Sequence, residues 1–226
     1  MKKILFLLFI IPLFGYSQVD TIIKNKIYKS YFSYKYHNPL YVTYKLYKGG
    51  GECSRTIEDL HFFVDTIPNH GKSSNHVYFP KNSATPADYA GSGYDIGHMC
   101  NAEDFAYNCD SESKTFRFYN ALPQTPNLNR GIWKHYETEI RKYSQHDSLL
   151  ILCGGTFSTH KMHNSNVYIP DNCWKVVQSL STHQVIYCLW FTNNEKTNSV
   201  EIITIALLEK RLGYKLPLSN STKIKK

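Results

Sequence analysis

Two short segments of the chain contain the side chains best suited to catalysis. The first, at residues 94–99 (YDIGHM), places His98 directly after a glycine, which permits a tight backbone at this point. An imidazole titrates near ambient pH, so His98 held in a fixed orientation could act as a general base that activates water. A single histidine is more often a packed or surface residue, and this chain has ten. The case for His98 therefore depends on a second, independent segment.

The second segment, at residues 120–137 (NALPQTPNLNRGIWKHYE), combines a turn with the start of an amphipathic pattern. Asn127 and Asn129 lie just before the predicted helix, where asparagine can cap the helix or present an amide oxygen outward. Such an oxygen is a hard, neutral ligand that suits Mg²⁺. Glu137 follows Asn129 by a little over two helical turns, which places it on roughly the same side of the helix. The alternative is a capped amphipathic helix that binds no metal.

The elements that must position these segments show both helical and strand patterns. Residues 129–143 repeat apolar side chains at helical spacing, and residues 207–212 form a short helical pattern that ends at Gly213. Strand patterns are found at residues 41–47, 149–153, 174–177 and 185–191. With no internal repeat and no long linker, the sequence predicts one α+β domain whose strands pair mainly antiparallel. The turn-rich residues 68–93 are expected to form a long loop.

The start of the chain has the pattern of an export signal. Lys2 and Lys3 precede an apolar stretch, Ile4 to Phe14, that is too short to span a bilayer comfortably. The small residues Gly15 and Ser17 follow it, so residues 1–17 are predicted to be a cleaved signal peptide and residues 18–226 the mature domain. We expect an exported protein, periplasmic or secreted, with no membrane span after cleavage. The alternative is a retained membrane anchor.

Export determines how the cysteines and the charge are interpreted. Six cysteines in an exported protein indicate disulfides, and six allow fifteen complete pairings among which the sequence does not choose. A zinc site that includes His160 and His163 is the alternative, although the spacing matches no compact Cys/His finger. The formal net charge is +8, of which Lys2 and Lys3 contribute two units. The remaining excess of positive charge favours association with polyanions.

Taken together, the two segments resemble the DNA/RNA non-specific endonucleases, the ββα-metal family that includes Serratia-type nuclease and endonuclease G. The first segment is similar to that family's Asp-Arg-Gly-His motif. The second is similar to its Asn-x-x-Pro-Gln … Asn-x-Gly-x-Trp-x-x-x-Glu motif, matched here by Asn120, Pro123, Gln124, Asn129, Gly131, Trp133 and Glu137. The resemblance extends over about residues 40–215. It implies a central, mainly antiparallel sheet flanked by helices, with a ββα-metal finger as the active site.

The resemblance also implies a role for each matched residue. His98 would be the general base, and Asn129 the only direct protein ligand of a Mg²⁺ ion, with Mn²⁺ or another divalent ion as the alternative. Glu137 would orient a metal-bound water, and Asn120 would support the histidine or the substrate phosphate. Arg55 would clamp the phosphate. The implied activity is hydrolysis of DNA and RNA to 5′-phosphate and 3′-hydroxyl ends, and a dedicated inhibitor protein is a compatible partner. The oligomeric state is left open.

One motif position departs from the family. Ile96 stands where the family has an arginine, and isoleucine cannot grip a phosphate as a guanidinium does. Another cation, among Arg55, Arg117 and Arg130, would have to replace it, or activity would be lower. The favoured interpretation is a working nuclease; the alternative is a catalytically weakened nucleic-acid-binding protein on the same scaffold. A disulfide-stapled surface protein, suggested by the Tyr-rich and basic composition, is a further alternative.

Overall fold

A computed structural model describes residues 19–53, 61–63, 65–67, 77–79, 82–196 and 199–219. The predicted signal peptide at residues 1–17 and the lysine-rich end of the chain lie outside these described residues. None of the helices in the described part is long and apolar enough to cross a membrane.

The largest element is a seven-stranded sheet, counted over the described residues. Its strands, in spatial order, are β1 (Thr21–Lys24), β2 (Tyr28–Ser33), β3 (Asn38–Leu46), β8 (Leu149–Thr156), β9 (Asn172–Ser179), β10 (Val185–Thr192) and β11 (Val200–Ile202). Every neighbouring pair runs antiparallel. The predicted α+β class with mainly antiparallel strands is therefore confirmed. The four predicted strands differ from the observed ones by one to three residues at their ends.

Smaller elements surround this sheet. Two-stranded ladders are formed by β4 (Asp65–Ile67) with β5 (Val77–Phe79) and by β6 (Asp95–His98) with β7 (Ala121–Gln124). The helices are α1 (Pro86–Tyr89), α2 (Cys109–Ser113), α3 (Lys134–Tyr143) and α4 (Ile205–Leu212). The prediction of one long loop at residues 68–93 is thus wrong at β5 and at α1. A capping box at Thr85 and the proline at position 86 start the short helix α1.

Both faces of the central sheet are covered by other parts of the chain. On one face, Tyr44, Ile151, Val177 and their neighbours form a core with Trp133 and Ile140 of the α3 region. The opposite face packs against α4 and the segment that follows it. Because its middle strands are buried on both sides, almost every residue of β8 and β9 is buried, including Lys175.

The helix predicted at residues 129–143 begins later than expected. Residues 128–133 form a wider π-type turn, and α3 starts only at Lys134. Gly131 has non-helical dihedral angles, φ −102° and ψ −114°, which interrupt the regular helix. Asn129 lies before this break and Glu137 lies in α3 after it. The spacing of a regular helix therefore does not determine how their side chains are oriented relative to each other.

The expectation of disulfides is confirmed for one pair of cysteines and does not hold for the other four. Cys53 and Cys109 form a disulfide with a Cα–Cα distance of 5.5 Å, whereas Cys100, Cys153, Cys173 and Cys188 are buried free thiols. Those four behave as small core residues. The Cys153 thiol donates to the carbonyl oxygen of Met99 at 2.9 Å, and burial raises the pKa of Cys153 to about 12.

Candidate active site

The β6–β7 hairpin presents His98 at the end of a strand. In the antiparallel register, His98 lies opposite Ala121 and Asp95 lies opposite Gln124. A Cβ atom at Gly97 would overlap the Gln124 side chain, so glycine is needed at this position for the two strands to approach. The Gly-His pair in the sequence thus reflects a close cross-strand contact beside the histidine.

Asn120 fixes the backbone that follows His98. Its side chain is fully buried; the amide oxygen accepts from the Cys100 N–H at 2.8 Å. The amide nitrogen donates to the carbonyl oxygens of Cys100 and Thr115, at 2.9 and 2.8 Å. The amide therefore contacts backbone, and of the two roles weighed for Asn120 the geometry favours support of the histidine over contact with a phosphate.

Two phenylalanines hold the imidazole of His98. The ring centroid of Phe62 lies 4.6 Å from that of His98, and the ring of Phe116 meets it edge-on at 4.7 Å. Packing from two sides limits the rotation of the imidazole. The base predicted from the sequence is thus held by apolar neighbours and by the backbone that Asn120 clamps.

Asn129 is oriented by a carboxylate. Its amide nitrogen donates to Asp95 at 2.9 Å, which leaves the amide oxygen at the opposite end of the group. Asp95 also accepts two hydrogen bonds from Arg130, at 2.8 and 2.6 Å. Partial burial raises the pKa of Asp95, but hydrogen bonds from Arg130 and Asn129 and the charge of Arg130 outweigh that effect and hold it below its usual value. An ionised Asp95 is thus available to orient Asn129 at neutral pH.

The predicted base, the predicted metal ligand and the carboxylate predicted to orient water line one cavity of about 470 Å³. His98, Asn129 and Glu137 contribute to its wall, although 39 positions of chain separate His98 from Glu137. The wall also includes three cationic side chains: Arg130, Lys134 and Arg141. The cavity therefore combines an imidazole, an amide oxygen and positive charge, the groups expected to meet a phosphate and a divalent ion.

A buried ion pair supports this wall from below. The Lys175 ammonium in β9 lies 3.3 Å from Oε1 of Glu137, and the two side chains are 1% and 9% exposed. The same ammonium lies 4.0 Å from the centre of the Trp133 ring. Sequence reasoning missed Lys175, although a lysine within the apolar run 173–177 (CWKVV) was an available signal.

A second buried carboxylate, Asp104, lies close to this pair. It accepts hydrogen bonds from the Tyr44 hydroxyl at 2.8 Å and from Arg141 at 3.0 Å, and Arg141 also donates to Asn101. Burial raises the pKa of Asp104 to about 6; Arg141 lowers it, and the negative charge of Glu137 raises it. Glu137, Lys175, Asp104 and Arg141 thus form a charged layer that sequence reasoning did not find.

Of the cations proposed to replace the missing motif arginine, Arg130 lines the cavity and Arg117 is not among its lining residues. Ile96 packs against an apolar cluster that includes Tyr89 and Phe118. Arg117 donates to the carbonyl oxygens of Ser113 and Phe116, and its guanidinium lies 5.1 Å from the Phe63 ring. Arg130 lines the cavity while paired with Asp95. Arg55 lies outside the described residues.

The donor set fits a divalent ion held mainly by water. Within the described part of the chain, no group of three or more His, Cys, Asp or Glu side chains is arranged to hold a metal ion. The amide oxygen of Asn129 is a hard ligand, and Mg²⁺ commonly keeps several waters while taking one or two protein ligands. Asn129 is accordingly the residue that would hold the ion.

An antiparallel hairpin followed by a helix, with a histidine and an asparagine facing one cavity, defines the ββα-metal class of site. Comparison with known proteins agrees. Residues 9–217 match the family model described as DNA/RNA non-specific endonuclease, and the chain belongs to this family. The recognition made from the two motifs is confirmed.

Three known proteins illustrate the similarity. A nuclease from Nostoc sp. is 36% identical over 43% of this chain and 36% of its own length. Nuclease 1, mitochondrial, from Schizosaccharomyces pombe is 25% identical over 87% of this chain and 59% of its own. The crystal structure of an EndoG/EndoGI complex matches with a TM-score of 0.67 and 18% identity, covering 88% of this chain and 86% of that one. The chain thus matches less than two thirds of the length of these two sequence relatives, and the solved structure supports the fold.

Proposed function

We propose that the protein is an exported, divalent-metal-dependent endonuclease that hydrolyses phosphodiester bonds of both DNA and RNA. The observation that carries the proposal is the convergence of His98, Asn129 and Glu137 on one cavity. Mg²⁺ is the proposed ion, with Mn²⁺ or another divalent ion as the alternative. The proposed products carry a 5′ phosphate and a 3′ hydroxyl.

In the proposed reaction His98 takes a proton from the attacking water. The freed hydroxide attacks phosphorus, the bond to the 3′ oxygen breaks, and that oxygen takes a proton from water in the cavity. Packing by Phe62 and Phe116 keeps the imidazole in one orientation, which reduces the reorganisation needed at the moment of attack. Glu137 places an acceptor on the same wall and orients water beside the phosphate.

Asn129 would hold the divalent ion through its amide oxygen, and Asp95 keeps that amide from rotating. When bound, such an ion neutralises negative charge on the phosphoryl and leaving oxygens. Lys134 adds positive charge to the cavity wall, and Arg130 and Arg141 lie on the same wall paired with Asp95 and Asp104. Together these cations compensate in part for the isoleucine at position 96. Contacts to phosphates carry little information about the sugar, which accounts for acceptance of both DNA and RNA.

Two observations bear on the setting of this activity. The Cys53–Cys109 disulfide supports the proposed export, because disulfides persist mainly in oxidising compartments. The solved relative is in complex with EndoGI in a structure that addresses EndoG inhibition, so an inhibitor protein is a reasonable partner to propose here. The proposed export covers both a periplasmic and a fully secreted location.

One observation favours a second candidate function. Because Ile96 packs into an apolar cluster, the cavity lacks a guanidinium at the position next to the proposed base. A protein that binds nucleic acid without cutting it would tolerate this change. Such a protein would show salt-sensitive binding and no metal-dependent cleavage.

The decisive experiment incubates the mature chain with supercoiled plasmid and with single-stranded RNA, in Mg²⁺ and in EDTA. His98→Ala tests the base, and His146→Ala, at an exposed position outside the cavity, is the matched control. We expect Mg²⁺-dependent loss of both substrates, abolished by His98→Ala and retained in His146→Ala. Binding without cleavage under every condition would overturn the proposal and favour the second candidate.

A further inference from the structure

Asn193 joins the hairpin of the active site to the central sheet. It follows β10 directly, and its backbone N–H donates to the carbonyl oxygen of Asp171, just before β9, at 3.1 Å. Its side-chain nitrogen donates to the carbonyl oxygens of Pro123 and Pro170, at 3.0 and 2.8 Å. Its side-chain oxygen accepts from the Thr125 N–H at 2.9 Å. One partly buried amide thus connects β7 with the segments that precede β9 and follow β10.

The side chain of Asn193 takes the place of a strand beside β7. Within the described part of the chain, β7 pairs only with β6, so its other edge has no neighbouring strand. In an extended segment, the carbonyl oxygen of Pro123 and the N–H of Thr125 point to the same side, because they are two residues apart. A primary amide carries a donor and an acceptor together and satisfies both groups. An aspartate or alanine at position 193 could not do so.

Thr125 is the residue from which the turn to Asn129 begins. Its carbonyl oxygen accepts from the Asn129 N–H at 2.9 Å, and its hydroxyl accepts from the Leu128 N–H at 3.3 Å. Thr125 is itself buried. The backbone of Asn129 is therefore hydrogen-bonded to the same residue that Asn193 holds.

The side chain of Asn129 depends on the same strand. Gln124 lies between the two residues that Asn193 holds, and in the hairpin register it is opposite Asp95. Asp95 in turn accepts from the Asn129 amide at 2.9 Å. Fixing β7 at residues 123 and 125 thus fixes the strand position of the carboxylate that orients Asn129.

The loop after Asn193 contacts the turn once more. The side-chain nitrogen of Asn127 donates to the carbonyl oxygen of Glu195 at 3.1 Å. This second contact is exposed, so water competes with it, and the three side-chain hydrogen bonds of Asn193 are expected to contribute more to holding the segment.

We propose that Asn193 is a positioning residue for the divalent ion. It holds residues 123–125 against the central sheet, and through them both the backbone and the side chain of Asn129. This role rests on the proposed function, in which Asn129 holds the ion. Asn193 does not line the cavity, so it would act only through the residues that it holds.

The test measures binding of Mn²⁺ to the mature chain by electron paramagnetic resonance, with Asn129→Ala defining the site. Asn193→Ala removes all three side-chain hydrogen bonds, and the isosteric Asn193→Asp places a carboxylate against two carbonyl oxygens. The matched control is Gln178→Ala, in β9. The Gln178 amide also donates to two carbonyl oxygens, of His183 and Ser219, and accepts from one backbone N–H, of Ser219, but none of these residues lines the cavity.

We expect both Asn193 variants to bind Mn²⁺ roughly tenfold more weakly, the lower end of the usual effect of disturbing groups that orient a metal ligand. The Mg²⁺ concentration for half-maximal cleavage should rise by the same factor, while kcat at saturating Mg²⁺ changes less. Gln178→Ala should change neither quantity, although it removes equivalent hydrogen bonds from a fully buried side chain. Thermal unfolding of each variant checks that the fold persists.

Amide hydrogen exchange without metal supplies a second readout. In Asn193→Ala the N–H groups of Thr125 and Asn129 should exchange faster, whereas those of β8 and β9 keep their protection. Faster exchange throughout the sheet would indicate general loosening and would overturn the positioning role. Unchanged Mn²⁺ affinity in both Asn193 variants, or an equal loss in Gln178→Ala, would also overturn it.

These measurements separate the positioning role from the nuclease function. If the wild type binds Mn²⁺ at Asn129 but cuts neither substrate, the nuclease proposal fails, and weaker binding in the Asn193 variants still supports the positioning role. If the wild type cuts and the Asn193 variants bind Mn²⁺ as the control does, the nuclease proposal is supported and the positioning role fails. Absence of any Mn²⁺ binding that Asn129→Ala removes would overturn the positioning role, whether or not the wild type cuts.

Discussion

The ammonium of Lys175 lies 3.3 Å from a carboxylate oxygen of Glu137, which lines the cavity shared with His98 and Asn129. Lys175 belongs to the middle of the central sheet and Glu137 to the helix after the hairpin. Removing one member of a buried pair leaves the other charge without compensation, which costs far more than an exposed pair would. The position of Glu137 thus depends on a residue that does not line the cavity.

Lys175→Met tests this dependence. We expect it to destabilise the fold by about 3–5 kcal/mol, because Glu137 would remain buried without its partner. In a Glu137→Gln background the same substitution should cost much less, because no charge is left unpaired. Thermal unfolding and plasmid cleavage of the two single variants and the double variant measure the coupling. Additive losses of stability would contradict the pairing.

The raised pKa of Asp104 makes the stability of the protein depend on pH. Its pKa is raised from 3.8 to about 6, chiefly by burial, so between these values the folded protein binds more protons at this site than the unfolded chain. The contribution of Asp104 to stability therefore falls as pH rises from about 4 to 6. Urea unfolding across that range should show a difference between wild type and Asp104→Asn that changes with pH. A constant difference would contradict the raised pKa.

The hydrogen bond from Asn129 to Asp95 leads to a prediction about the Mg²⁺ concentration that cleavage requires. Because it holds the Asn129 amide, Asp95→Asn should raise the Mg²⁺ concentration needed for half-maximal cleavage by about 10–100-fold, the usual effect of losing a group that orients a ligand. Asp171→Asn, which disturbs the exposed pair with His160, is the control and should leave the requirement unchanged. Titration of cleavage with Mg²⁺ makes the measurement. Similar shifts in both variants would argue against Asn129 as the ligand.

Substitutions at Lys134 and Ile96 test whether the cations of the cavity replace the motif arginine. Lys134 is an exposed cation on the cavity wall, so Lys134→Met should lower kcat/KM by roughly tenfold, as expected for loss of one charged contact to phosphate.

Ile96→Arg should lower stability by about 1 kcal/mol through lost apolar packing. Its cleavage rate should rise less than tenfold, because cations already surround the cavity. A much larger gain would mean that these cations do not replace the arginine.

The local parts of the site could be predicted from sequence. His98, Asn129 and Glu137 lie in two short segments whose spacing is set by one hairpin and one helix, and all three line the same cavity. Lys175 and Asp104 could not be placed, because their contacts join elements far apart in sequence, and a buried charge resembles a surface charge until its partner is known. The predicted start of the helix was wrong because the pattern of apolar residues does not reveal the backbone break at Gly131.

The four unpaired cysteines give the molecule internal reporters of opening. Cys173 belongs to the core that the α3 region covers, whereas Cys188 belongs to the core that α4 covers. A thiol reagent reaches each only when the layer above it separates from the sheet, and the rate of modification measures that separation. Versions of the protein that keep the Cys53–Cys109 disulfide and only one of the four thiols would therefore show which of the two layers separates first.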